Sequence, residues 1–167
     1  VRLGAGGLDG RRLAPTAVAA AFETLAKFKR LAETHQVDEI LASATSAVRE
    51  AENGGDFVAA VRRDLGIRVR VISGKEEARL IHLAAAYASG VGGHPSVVID
   101  IGGGSVEVTL GTAARMQVGE SFKVGVIRLT ERFVTRDPLS RSDEQRMVRH
   151  IRRQTGAHLR ALVKRGF

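Results

Sequence analysis

At 167 residues the chain is long enough for one domain, or for two small lobes, whose core folds without staples. It has no cysteine, which excludes disulfides and thiolate metal sites, and none of its apolar runs approaches the length of a membrane span. The formal charge of +8, carried more by arginine than by lysine, favours an anionic partner, whereas 4% aromatic residues and no Trp argue against a stacking platform for single-stranded nucleic acid.

In chain order, the opening "VRLGAGGLDG" lacks the charged head and apolar run of a signal peptide, so a cytoplasmic location is expected. From Pro15 to Ala32, Val18, Phe22, Leu25 and Ala32 recur near one face at helical spacing, with Pro15 where a first turn tolerates it. Asp38 to Ala44 reads as a short strand, followed by a helical turn that Asn53, Gly54 and Gly55 interrupt. A helix then resumes with Asp56 as N-cap and Gly66 as C-cap, and "IRVRVIS" alternates as a half-buried strand does.

Ser73 and Glu76 form an S-x-x-E capping box before a helix from about Lys75 to Ala88. The stretch from Ser89 to Ser96 is the most loop-like, and it suggests lobes of residues 1–93 and 94–167. Beyond it, strands are predicted at Val97–Ile101, Val106–Leu110 and about Ser121–Val126, with a helix from Ile127 to Phe133. Ser142 and Gln145 read as a second capping box, opening a last helix with Met147, Ile151, His158 or Leu159, and Leu162 inward. Strand and helix alternate in the first lobe and a meander opens the second, which together predict an α/β fold.

The glycine loop in "VVIDIGGGSVEV" has strand on both sides. A Walker loop needs Lys and Ser or Thr opening a helix, and a dinucleotide fingerprint needs G-x-G-x-x-G before one; neither pattern is present. Two readings of Gly102, Gly103 and Gly104 remain: a turn that needs φ > 0, or a backbone left bare for an anion held by N–H groups. Asp100, at the end of a strand that reads as buried, cannot face phosphate directly, and its plausible task is to hold Mg²⁺ or its waters. Glu107, alternating with Val106 and Val108, is either a surface residue or a second carboxylate for the same metal.

In "SGKEEARL", Glu76 belongs to the capping box, while Glu77 either stabilises the first helical turn or serves as a base that the helix dipole keeps ionised. Thr45, Ser46 and Arg49 lie just past one strand and Arg128 past another, and each arginine is either a surface residue or a bidentate grip on phosphate. The five histidines have no ligand spacing; His82 reads as a helix side chain and the rest as exposed. Arg146, Arg149, Arg152, Arg153, Arg160 and Lys164 make the last third basic, either as a solvated face or as a surface for a polyanion.

Taken in order, "ATSAVREAEN", "ISGKEEARL", "DIGGGSVEV" and "VGVIRLTERF" closely resemble the exopolyphosphatase and guanosine pentaphosphate phosphatase family, as do "RLGAGGLDG" and "RDPLS". The resemblance implies a two-lobed actin-like (ribonuclease H-like) α/β fold with Mg²⁺ in the cleft, and inorganic polyphosphate or guanosine pentaphosphate as substrate. It gives Glu77 the role of general base, Asp100 and Glu107 those of metal and water organisers, and Gly102, Gly103, Gly104 and Ser105 that of the phosphate loop. Arg49, with Thr45 and Ser46, becomes a phosphate contact from the first lobe. A homodimer is the implied assembly, with neither a membrane nor a specific nucleic acid as partner. The family's first strand and its D-x-G-S-N-S loop have no counterpart before "VRLGAG", nor do its closing strands and helices after Phe167, so the fold is expected to be incomplete at both ends. The alternative to an enzyme is a fragment that binds polyphosphate or nucleotide without hydrolysing it.

Overall fold

The computed structural model describes residues 3–4 and 12–165, so the opening "RLGAGGLDG" lies mostly outside the described residues. Two compact units emerge, Val1–Ile72 and Ser73–Phe167. They part at 72/73 rather than at the 93/94 boundary read from the sequence, because the helix that follows Ser73 packs on the second unit's sheet.

The first unit contains helix α1 (Pro15–Thr34), strand β1 (Ala42–Ala44), helix α2 (Ser46–Glu50), helix α3 (Gly54–Leu65) and strand β2 (Val69–Val71). Strands β1 and β2 pair in parallel, Ala42 opposite Val69. β1 is shorter than predicted, since β2 reaches only Ala42–Ala44 and Asp38–Leu41 stay exposed. The core joins Leu13, Ala21, Val48, Phe57, Val61 and Ile67, and the Phe22 and Phe57 rings meet edge to face at 5.7 Å.

The cap of α3 is Asn53, not Asp56, which falls in the first turn. Asn53 instead ties α3 to the segment before α1: Leu13 N–H donates to its Oδ1 at 2.8 Å and its Nδ2 donates to Leu13 O at 3.1 Å. Gly54 must follow, because a Cβ there would lie 2.0 Å from Val48 O. Gly66 closes the helix at φ 68°, as predicted.

The second unit contains α4 (Gly74–Ala88), β3 (Ser96–Ile101), β4 (Val106–Thr112), β5 (Arg115–Phe122), α5 (Val126–Phe133) and α6 (Arg141–Val163). The strands form an antiparallel meander in the order β3-β4-β5. β5 begins earlier than predicted, because Ala113 and Ala114 turn the hairpin without the Gly or Asn that normally marks such a turn. Ser140 rather than Ser142 caps α6; its Oγ accepts from Asp143 N at 3.1 Å, while the Asp143 carboxylate accepts from the Ser140 and Thr135 hydroxyls.

Register sorts the sheet into two faces. One carries Ile101–Val106–Phe122 and Val97–Leu110–Val118. There Val108, Leu110 and Phe122 pack with Val124 and with Ile151 and Leu162 of α6. His158 is half-buried on that side, its Nε2 3.0 Å from Val108 O, while Leu159 is 41% exposed; this settles which of the two points inward. His150 is half-buried as well, 5.3 Å from the Phe133 ring, so two of the histidines expected to be exposed are not. The six basic residues singled out in the last third are exposed.

Candidate functional site

The other face of the sheet is polar, and α4 covers it. Asp100, Glu107 and Ser121 share one cross-strand row, and Val98, Thr109 and Gly119 the next. From α4, Glu77, Ala78, His82 and Ala86 are buried at helical spacing. His82 is fully buried, with Nδ1 2.8 Å from Thr109 Oγ1 and Nε2 3.2 Å from Thr112 O. Its Nε2, facing a carbonyl, carries a proton. This contact pins α4 to the sheet and leaves Glu77, one turn earlier, towards the end where the glycine loop begins.

Glu107 is 1% exposed, so it is no surface residue. Ser121 Oγ donates to its Oε1 at 2.6 Å and the Ser105 hydroxyl also hydrogen-bonds to it, so strand, loop and carboxylate adjoin. Burial pushes the Glu107 carboxyl above its ordinary value; these two hydroxyl bonds oppose the rise, and the charges of Glu77 and Asp100 add to it. The carboxylates of Glu77 and Asp100 thus both lie within electrostatic reach of Glu107. Asp100 is half-buried, and its strand is less enclosed than expected, because Val97, Ile99 and Ile101 are 38%, 58% and 66% exposed.

A carboxyl raised in the folded state contributes stability that is full below its unfolded value, near 4.5, and lost as pH rises through the folded value. Glu107→Gln has no charge to bury. From below pH 4.5 to neutrality its urea midpoint is expected to climb relative to that of the wild type. Parallel midpoints over that range would contradict the burial cost.

None of Gly102, Gly103 and Gly104 has a left-handed φ, so turn conformation is not why these residues are glycine. At Gly102 and Gly103 close approach is the reason, and the neighbour is protein: a Cβ on Gly102 would lie 3.0 Å from Ser105 O. A Cβ on Gly103 would lie 3.0 Å from Ile127 Cδ1, and one on Gly125 would lie 2.5 Å from Gly103 C and O and Gly104 C. The start of α5 seats itself on the loop: Val126 N donates to Gly102 O at 2.9 Å, Ile127 N to Gly103 O at 2.9 Å, and Arg128 Nε to Gly104 O at 3.1 Å.

These peptides are trans, so each N–H points opposite to the preceding carbonyl. With the carbonyls of Gly102, Gly103 and Gly104 turned to α5, the N–H groups of Gly103, Gly104 and Ser105 point the other way. Three successive donors on one side make a nest suited to an anion.

The remaining predicted residues belong to the first unit. Thr45 is the N-cap of α2. Ser46 is 3% exposed and donates to Glu50 Oε1 at 2.8 Å, and Arg49 Nη1 donates to Ile72 O at 2.8 Å. On α4, Ser73 Oγ accepts from Glu76 N at 3.2 Å as the capping box predicts, and the Glu76 carboxylate is gripped by Arg79 at 2.8 and 2.9 Å.

For Mg²⁺ the donor chemistry is apt. Asp100 and Glu107 offer oxygen ligands across one row, and the repulsion felt by Glu107 is what a divalent cation relieves. Among the described residues no group of three or more His, Cys, Asp or Glu converges as a metal cage. Mg²⁺ usually takes one or two carboxylates plus waters and substrate oxygens, so the residues present fit it as an ion brought together with phosphate.

Comparison with known proteins places the chain in a family. The family model described as Ppx/GppA phosphatase family matches residues 1–166. Exopolyphosphatase 1 of Mycobacterium leprae is 37% identical over 118 residues, covering 71% of this chain and 35% of that protein. Exopolyphosphatase 1 of Mycobacterium tuberculosis is 36% identical over the same length, covering 34% of that protein. Among solved structures, an exopolyphosphatase from Cytophaga hutchinsonii superposes with a TM-score of 0.91 at 32% identity, over 97% of this chain and 52% of that one. The Aquifex aeolicus member of the Ppx/GppA family gives 0.70 at 30% identity, over 90% of this chain and 49% of that one. The chain therefore spans about a third of the curated relatives' length and about half of the solved chains.

Proposed function

Because the chain belongs to the Ppx/GppA phosphatase family and shares the actin-like α/β fold of its solved members, we propose that it hydrolyses terminal phosphoanhydrides of inorganic polyphosphate. The observation that carries this reading is the adjacency, through Ser105 and Glu107, of an outward row of three N–H donors and a buried carboxylate row under α4.

In this reading the N–H groups of Gly103, Gly104 and Ser105 bind oxygens of the terminal phosphoryl group. Glu77 takes a proton from the attacking water. The water oxygen bonds to the terminal phosphorus, the bridging P–O bond breaks, and the shortened polymer leaves with the electron pair and takes up a proton. Asp100 and Glu107 would hold Mg²⁺, which when bound neutralises phosphoryl charge. Within the first unit, buried Ser46 steadies the turn that carries Thr45 and Arg49 through its bond to Glu50. Guanosine pentaphosphate is the alternative substrate of the same chemistry. A homodimer in the cytoplasm completes the reading; no described helix is long and apolar enough to cross a membrane.

The test is orthophosphate release from polyphosphate with Mg²⁺ or with a chelator, guanosine pentaphosphate being added as competitor. Metal-dependent release, slowed little by the competitor, is expected. Tight binding of polyphosphate with no release would replace this reading with that of a binding module.

A further inference from the structure

We propose that Arg128 is a positioning residue: it sets the direction of the glycine loop's last N–H by holding the Gly104 carbonyl. A run of three glycines has no side chains to fix its peptide planes, and each plane can rotate at little steric cost. The Gly102 and Gly103 carbonyls are each fixed by a backbone donor at 2.9 Å, from Val126 and Ile127. Among the described residues, the backbone donor to Gly104 O is the distant Gly125 N at 3.4 Å, and the short donor is Arg128 Nε at 3.1 Å. The peptide whose N–H belongs to Ser105 therefore depends on a side chain.

Arg128 is suited to this task. It is 9% exposed, and its guanidinium is always charged and planar, so it holds one carbonyl direction where a flexible ammonium would not. Helix N-termini ordinarily offer their N–H groups to anions directly. Here the first N–H groups of α5 are spent on loop carbonyls, so the helix acts one peptide removed from any ligand. Positive charge at those carbonyls polarises the same peptides and strengthens the N–H donors on their other side. Through its Nε, Arg128 thus acts on an anion by way of the backbone.

The positioning is testable on the free chain, whereas the ligand rests on the reading above. In ¹⁵N-labelled protein, Arg128→Ala is expected to lower the relaxation order parameter of the Ser105 amide more than that of Gly103, with the β4 and β5 amides unchanged. Titration with inorganic tripolyphosphate is expected to weaken by roughly ten- to hundredfold, the range of one charge-assisted hydrogen bond. Added guanidinium ion should restore part of this in the alanine variant and nothing in the wild type. Arg128→Lys, which keeps charge and stem, should fall between and decides the matter should the alanine variant unfold. An unmoved Ser105 amide in the folded lysine variant would overturn the proposal. If the amide loosens while even the wild type binds no tripolyphosphate, the positioning stands and the phosphatase reading falls.

Discussion

Glu77→Gln is expected to slow phosphate release from polyphosphate by about 10²- to 10⁴-fold, the usual contribution of a positioned general base. Glutamine keeps the shape of the side chain and its place one turn before His82, so α4 remains pinned to Thr109. It cannot take a proton from water. Binding should hold or tighten, because the substitution removes one negative charge from a face that already carries Glu107 and Asp100. The signature is a lower kcat without a higher Kd for polyphosphate. A variant that releases phosphate at the wild-type rate would remove Glu77 from the mechanism.

Gly125→Ala is the second large effect. Its Cβ would press on backbone atoms of Gly103 and Gly104 at 2.5 Å, and backbone cannot rotate away as a side-chain tip does. Either α5 lifts from the loop or the loop is displaced, at a cost of about 1–3 kcal/mol for such overpacking. The hydrogen bonds of Val126 and Ile127 to the loop carbonyls would lengthen together, so tripolyphosphate binding should fall along with the urea midpoint. Gly55→Ala is the control: nothing lies within 4 Å of its Cβ, and in a helix it should stabilise by about 0.5–1 kcal/mol. Equal midpoints for the two variants would show that the close approach at Gly125 carries no energy.

Much of the site was legible in the chain because its signals are local. Three glycines between strands, an S-x-x-E box and a Gly C-cap each act within a few residues, and the loop, the start of α4 and the end of α3 lie where those patterns put them. What depends on pairing across the sheet was less legible. The β4 alternation placed Glu107 opposite Val106 and Val108, but only α4 and the Ser121 bond make that face a buried one. Ser121 was hidden because the hairpin turns on Ala113 and Ala114, so the start of β5 carried no marker. Arg128 was recognised as a candidate for gripping phosphate. That its Nε reaches a loop carbonyl is a contact across 24 residues, which no local pattern encodes. The reverse error occurred in β3, where an apolar run read as buried has Val97, Ile99 and Ile101 exposed, since hydrophobicity alone does not say what covers a strand.

In the proposed reaction, water activated on the α4-covered face attacks a terminal phosphoryl group held by the glycine loop. Its most direct measurement is hydrolysis of polyphosphate in ¹⁸O-enriched water with Mg²⁺, followed by mass spectrometry of the released orthophosphate and the shortened polymer. One ¹⁸O atom in each orthophosphate, none in the polymer, and loss of labelled product in Glu77→Gln are predicted. Label in the polymer end, or polyphosphate bound and recovered intact, would contradict the account.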